Sequence, residues 1–492
     1  MSQHRNRLVP LAVAAGVGLG VFTVGGPALA APQSTDQPAS NPGWQPVQVS
    51  PKEQAYNLRW TVADPRYDYV NGEAGAEFVP LTDEAGNPLS KVLYGIDRGS
   101  AYRIEVPIDW NGDVVFWEHG YRGTGTTVYV SDPSYDLRRT YIENGYAWAA
   151  SSYGENRYDI EAGALATERL AKIFDARVGR ADQRYLQGVS MGGHVIGALL
   201  ERDRGIEWDG AAPMCGVMGD YELYDFFLDY NLLAQTLSGV DAYPFPSQAE
   251  YFSQVVPQFK AALGTPTTAT PVYEGLTEAG EVFRDNITAI TGGERPGDDE
   301  AFGYWEGQNF VYGVVTADPG GLDGVTQGAL WSNVETDYPV DYTFEDGTTL
   351  DQQVERVAPA PGTRSTYQAV PVPALTGDID VPVLSSHTLG DYYVPFSMEQ
   401  YYAADVAAQG NADLLVQRAI RAAGHCEFTP EEAADQFLDL VDWVDNGVTP
   451  EGASVLDPEV VADPNYGCEF TTPVRTGTRV FYDECPVPTP GG

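Results

Sequence analysis

From about residue 100, short apolar runs alternate with stretches of helical spacing. Tyr102-Arg-Ile-Glu-Val106 has the period-two alternation of a half-buried strand. Asp113–Glu118 is an apolar run that leads into His119-Gly120, and Tyr146–Ser151 is a second run of the same kind. Both predict buried strands feeding loops. Ile160–Phe174 has helical periodicity, and Arg184–Gln187 predicts a brief strand. Met191–Arg202 then sets Val195, Ile196, Leu199 and Leu200 on one helical face, and Ala211–Cys215 predicts the next buried strand. The rhythm breaks over residues 220–375, which are rich in Tyr, Phe, Asp and Pro, with helices expected near 221–237 and 247–263. It resumes with a strand at Val381–Ser386, a helix at Ser397–Gln409 and a strand at Leu414–Ile420. In the last helix Thr429 is the cap, Pro430 suits the first turn, Glu432 closes a capping box and Gly447 ends the element.

Strands alternating with helices predict an α/β fold with a mostly parallel central sheet flanked by helices. The expected order is a core in two parts, 56–219 and 376–447, separated by a large, mainly helical cap insertion over 220–375. A C-terminal extension, 448–492, follows. Within it Cys468 and Cys485 bracket the turn residues Arg475-Thr-Gly-Thr478, which predicts a hairpin closed by a disulfide.

At the N-terminus, Arg5 and Arg7 precede a short apolar and glycine-rich run, Leu8–Val24, that closes on Ala28-Leu29-Ala30. A basic start, an apolar stretch and a small-x-small site predict a secretory signal peptide over 1–30. Residues 31–55 read as a flexible leader. The mature chain is therefore expected outside the cell, without a membrane span, where its four Cys are free to pair.

Composition narrows the chemistry further. The 492 residues carry 28 Lys+Arg against 70 Asp+Glu, a formal charge of −42, with 43% hydrophobic residues. There is ample material for a core, and the chain is neither collagen-like nor disulfide-dominated. The negative excess argues against nucleic acid or an anionic membrane as partner. It leaves the oligomeric state open.

Gly188-Val189-Ser190-Met191-Gly192 falls between a predicted strand and a predicted helix. A serine on such a turn stands clear of the sheet at a helix N-terminus, where developing negative charge is favoured. It needs a base, and elimination among five His leaves one. His4 leaves with the signal, His194 lies one turn beyond Ser190 and reads as a packed neighbour, and His119 shapes a loop. His387 precedes the best acid. His425, in Gly424-His425-Cys426 after the last predicted strand, remains. Asp391 follows the strand at 381–386, whereas Asp378 and Asp380 precede it and fall at the wrong end of a parallel sheet. The expected catalytic set is Ser190, Asp391 and His425, with backbone amides of Met191 and Tyr121 as the oxyanion hole. Cys215 and Cys426 are expected at the same sheet edge, where a disulfide between them would pin the His425 loop. No Cys-x-x-Cys or His-x-x-x-His spacing points to zinc, and no metal or organic cofactor is expected.

On His119-Gly120-Tyr121, Gly188-Val-Ser-Met-Gly-Gly193, Gly390-Asp-Tyr-Tyr-Val-Pro395 and Gly424-His425, the sequence resembles the α/β-hydrolase superfamily. More narrowly, it looks like secreted actinobacterial hydrolases with a large cap. The resemblance implies an eight-stranded sheet and a serine hydrolase triad. His425-Cys426 is also similar to the tannase and feruloyl esterase pattern, although Val189 stands where that family has cysteine before the nucleophile. The expected function is hydrolysis of a carboxylic ester bearing a bulky apolar or aromatic group, the substrate being a small molecule or a polymer. An amidase or peptidase with the same triad is the alternative, and a non-catalytic binding protein on this fold a second one.

Overall fold

The computed structural model describes residues 63–70, 72, 77–202, 205–315, 330–366 and 370–486. The expected signal peptide and leader lie outside them. The main sheet has eight strands: β1 (Ser90–Asp97), β2 (Ser100–Pro107), β3 (Val114–Glu118), β4 (Ala147–Ser151), β5 (Arg184–Val189), β6 (Gly210–Met214), β7 (Val383–Thr388) and β8 (Leu415–Ile420). Their spatial order is β1-β2-β4-β3-β5-β6-β7-β8. β2 pairs antiparallel with both β1 and β4, and every other pairing is parallel. Strand β1 escaped the apolar-run reading. Its signal is the tight turn into β2, where Arg98 and Gly99 both take positive φ (46° and 85°).

Successive strand residues point to opposite faces, and each face packs its own helices. On one face Val114, Phe116, Ala147, Ala149, Leu186, Ala211 and Val383 meet the helices α2 (Ile160–Arg177) and α3 (Met191–Leu200). On the other, Val115, Trp117, Trp148, Tyr185, Met214 and Leu384 meet α1 (Leu137–Glu143) and α9 (Pro430–Asn446). The cap of α9 forms as its sequence predicts. The Thr429 hydroxyl accepts from the Glu432 amide at 3.2 Å, Glu432 accepts from the Thr429 amide at 2.9 Å, and Gly447 takes φ 69°.

Between β6 and β7 lie α4 (Glu222–Ser238), α5 (Val256–Leu263), α6 (Glu278–Ile290) and α7 (Asp298–Gln308). The helix expected near 247–263 is interrupted by a π turn at Tyr251–Val255, just before Pro257, which has no N–H to give to the preceding turn. After β7 comes α8 (Ser397–Gln409).

The C-terminal extension differs from the expected hairpin. Cys468 and Cys485 are disulfide-bonded, but the chain between them forms turns and a 3-10 helix, Gly477–Phe481, with no strand. Tertiary bonds override the turn signal. The Arg479 guanidinium pairs with Glu432 of α9 (2.5 and 2.8 Å), and the Thr478 hydroxyl accepts from the amides of Ala423 and Gly424 (both 2.7 Å).

Candidate active site

The site stands at the carboxyl ends of β5, β7 and β8. Ser190 joins β5 to α3 with φ 57° and ψ −124°, a conformation costly for any side chain. The turn holds it there because its backbone groups stay paired. The Ser190 amide donates to the Met214 carbonyl (3.0 Å), and its own carbonyl accepts from Gly193 (2.8 Å) and Val217 (3.2 Å). Glycine is obligatory on both sides, since a Cβ at Gly188 or Gly192 would run into the Glu118 carbonyl of β3.

The Ser190 hydroxyl donates to His425 Nε2 at 2.9 Å, and His425 Nδ1 donates to Asp391 Oδ2 at 2.6 Å. Asp391 is fully buried, and its other oxygen accepts from the Tyr393 (2.8 Å) and Val394 (3.2 Å) amides. The orientation of the carboxylate is therefore fixed by its own loop. One face of the imidazole stacks on the Tyr393 ring (centroids 4.9 Å), which in turn stacks on Phe310.

Met191 is the first residue of α3, so its amide has no intrahelical acceptor. Gly120 lies against Ser190, where a Cβ would stand 3.1 Å from that of Ser190 and 3.5 Å from its hydroxyl oxygen. The Gly120-Tyr121 segment thus forms the wall beside Ser190, and a Cβ at residue 120 would crowd it. His119 turns away from the site. It stacks on Tyr153, donates to the Gly120 carbonyl (2.7 Å), and is held neutral, well below the usual histidine range, by burial and then by the charge of Arg122. His194 is buried, bonds the Pro373 carbonyl (2.8 Å) and the Tyr158 hydroxyl (3.1 Å), and is pushed down by burial to about 4.

Cys215, directly after β6, is disulfide-bonded to Cys426, beside the imidazole. These two and His425 are the one group among the described residues close enough to ligate a metal ion, and the disulfide and the bond to Asp391 already occupy their donor atoms.

Two features near the site have no sequence signature. His387 is buried beneath the Asp391 loop, donating to the Val394 carbonyl (2.8 Å) and to Glu399 (3.2 Å). Burial pulls its pKa down, but the Glu399 bond and charge more than offset this, so it lies above the usual value. Trp305 of α7 donates to the carbonyls of Gly390 (2.7 Å) and Ala423 (2.8 Å), one in each loop.

The strand order, with a lone antiparallel β2 reversing direction next to β1, and a strained serine turn after β5 decide the fold. The chain has the α/β-hydrolase fold. No family model matches it. An o-phthalyl amidase of Xanthobacter agilis is 30% identical over 109 residues, 21% of this chain and 24% of that protein, so the chain matches about a quarter of this curated relative's length. Among solved structures, tannin acyl hydrolase from Aspergillus niger is 15% identical, with a TM-score of 0.37, covering 73% of this chain and 79% of that chain. Feruloyl esterase B from Aspergillus oryzae is 14% identical (TM-score 0.39; 76% and 87% covered). Lipase A from Candida antarctica is 13% identical (TM-score 0.38; 76% and 84% covered).

Proposed function

We propose that this α/β-hydrolase is an exported serine hydrolase that cleaves a carboxylic ester through an acyl-enzyme. The observation that carries the reading is the continuous hydrogen-bond chain from the Ser190 hydroxyl through His425 to buried Asp391. In this reading His425 Nε2 takes the Ser190 proton as the oxygen attacks the carbonyl. Asp391 keeps the imidazole in the tautomer with its proton on Nδ1 and stabilises the cation that forms. The Met191 and Tyr121 amides receive the oxyanion, each such donor contributing roughly 3 kcal/mol to the barrier. His425 then protonates the leaving alcohol, and water activated by the same imidazole releases the acid.

The aromatic wall of Tyr393 and Phe310 against His425 supports a bulky, apolar or aromatic group on the ester. Two disulfides and the N-terminal residue pattern support export.

Amide hydrolysis with the same residues is the second reading, favoured by the partial match to an amidase. Matched p-nitrophenyl esters and anilides, assayed on the native enzyme and on Ser190→Ala, separate the two. The ester reading expects esters to turn over faster and Ser190→Ala to lose both activities. Faster anilide turnover would replace it with the amidase reading.

A further inference from the structure

We propose that Trp305, on cap helix α7, is a positioning residue that sets the separation between the acid and base of the triad; this rests on the reading of Ser190, His425 and Asp391 as catalytic. Neither loop has secondary structure of its own beyond the ends of β7 and β8. At their base the two are tied directly, Leu389 N–H to the Ile420 carbonyl and Gly390 N–H to the Ala422 carbonyl, both at 2.9 Å. One step nearer the site, the Gly390 and Ala423 carbonyls both accept from the single indole N–H of Trp305. Gly390 immediately precedes Asp391, and Ala423 stands two residues before His425. Without that N–H, two buried carbonyl dipoles would face one small space with no donor between them, a cost that separation of the loops would relieve.

The packing fixes the indole itself. Trp305 is buried and meets Tyr392, Tyr393 and Phe310 ring to ring. Its helix comes so near that a Cβ on Gly390 would stand 2.8 Å from the Ala301 methyl. At the next residue of α7, the Glu306 carboxylate accepts from Thr265 (2.6 Å) and Tyr312 (3.1 Å) and faces the Lys260 ammonium, which anchors this end of the helix in the cap. The base loop is also held by Thr478 and by the Tyr482 hydroxyl, which donates to the Ala422 carbonyl (3.0 Å). The segment between β6 and β7 is on this account part of the frame of the triad at α7, and closure over substrate would have to involve other parts of it.

Trp305→Phe removes the N–H and keeps a ring. The expected result with p-nitrophenyl butyrate is a kcat lower by about 10–100-fold with KM changed less than about twofold, because acid and base lose alignment while the substrate wall stays. The deshielded proton of the His425–Asp391 hydrogen bond, observed by proton NMR, should weaken or move with it. If the Phe variant does not fold, 3-benzothienylalanine placed at residue 305 by nonsense suppression replaces the N–H with sulfur in nearly the same shape and makes the same test. A folded variant with native kcat and an unchanged proton signal would overturn the proposal while leaving the triad intact. A Ser190→Ala protein that keeps native activity would instead overturn the catalytic reading beneath it.

Discussion

At the scale of single residues, Ser190 was legible because its steric demands are local. A strained serine between a strand and a helix needs small neighbours, and Gly188 and Gly192 are those neighbours, each blocked by the Glu118 carbonyl. Gly192→Ala should therefore destabilise the fold by about 1–3 kcal/mol, read from urea unfolding, with activity lost in the same variant. Asp391→Asn keeps the shape of the acid but offers the imidazole the wrong partner, and kcat should fall by about 10⁴-fold with stability little changed. A native kcat in that variant would remove Asp391 from the account. Asp391 and His425 could be picked out by their place after strands, a consequence of topology. Trp305, His387 and Thr478 could not. Their partners are backbone carbonyls, amides or a buried carboxylate, and nothing in an indole, imidazole or hydroxyl announces which distant segment it will bond.

At the scale of elements, the central strands are buried on both faces and read as short apolar runs, while α9 declares both ends through Thr429, Glu432 and Gly447. What escaped detection depends on partners far along the chain. β1 alternates weakly, with only Ser90 and Gly95 of it buried, and the segment from Cys468 to Cys485 is shaped by Glu427, Glu432 and the base loop instead of by its own turn residues. The disulfide between Cys215 and Cys426 ties β6 to the base loop across a sequence separation of 211. Replacing both with serine should cost about 2–5 kcal/mol of stability and also lower kcat, since the loop carrying His425 loses one of its anchors. Chemical denaturation and steady-state kinetics on the double variant check both parts. A stable loss with unchanged kcat would confine the bridge to a structural role.

For the whole molecule, the excess of carboxylates has a consequence in the core as well as at the surface. Burial pushes Glu118 up to about 7, Asp220 to about 7 and Asp229 to about 8. Each value lies above that of the unfolded chain, so the folded state binds these protons more tightly. Their contribution to stability is complete below about pH 4 and is lost as pH rises through about 7 to 8. His387, also raised, acts in the same direction, whereas His119 and His194 oppose it below the ordinary histidine range, as acid drives protons onto the unfolded chain. Between pH 6 and pH 8.5 the first group dominates, and the net charge of −42 adds self-repulsion as the remaining protons leave. The thermal midpoint should therefore fall across that interval, and Glu118→Gln should flatten the slope. Calorimetry at a series of pH values tests this, and a midpoint that rises with pH would contradict it. No helix among the described residues is long and apolar enough to cross a membrane.

The account turns on one hydroxyl being reactive. Treating the folded protein with a fluorophosphonate and mapping the modified peptide by mass spectrometry asks this directly, with Ser190→Ala and His425→Ala as partners. The expected result is a single adduct on Ser190, absent from the first variant and strongly slowed in the second, with esterase activity lost in step with labelling. A folded native protein that takes no adduct, or one labelled elsewhere while Ser190→Ala still hydrolyses ester, would contradict it.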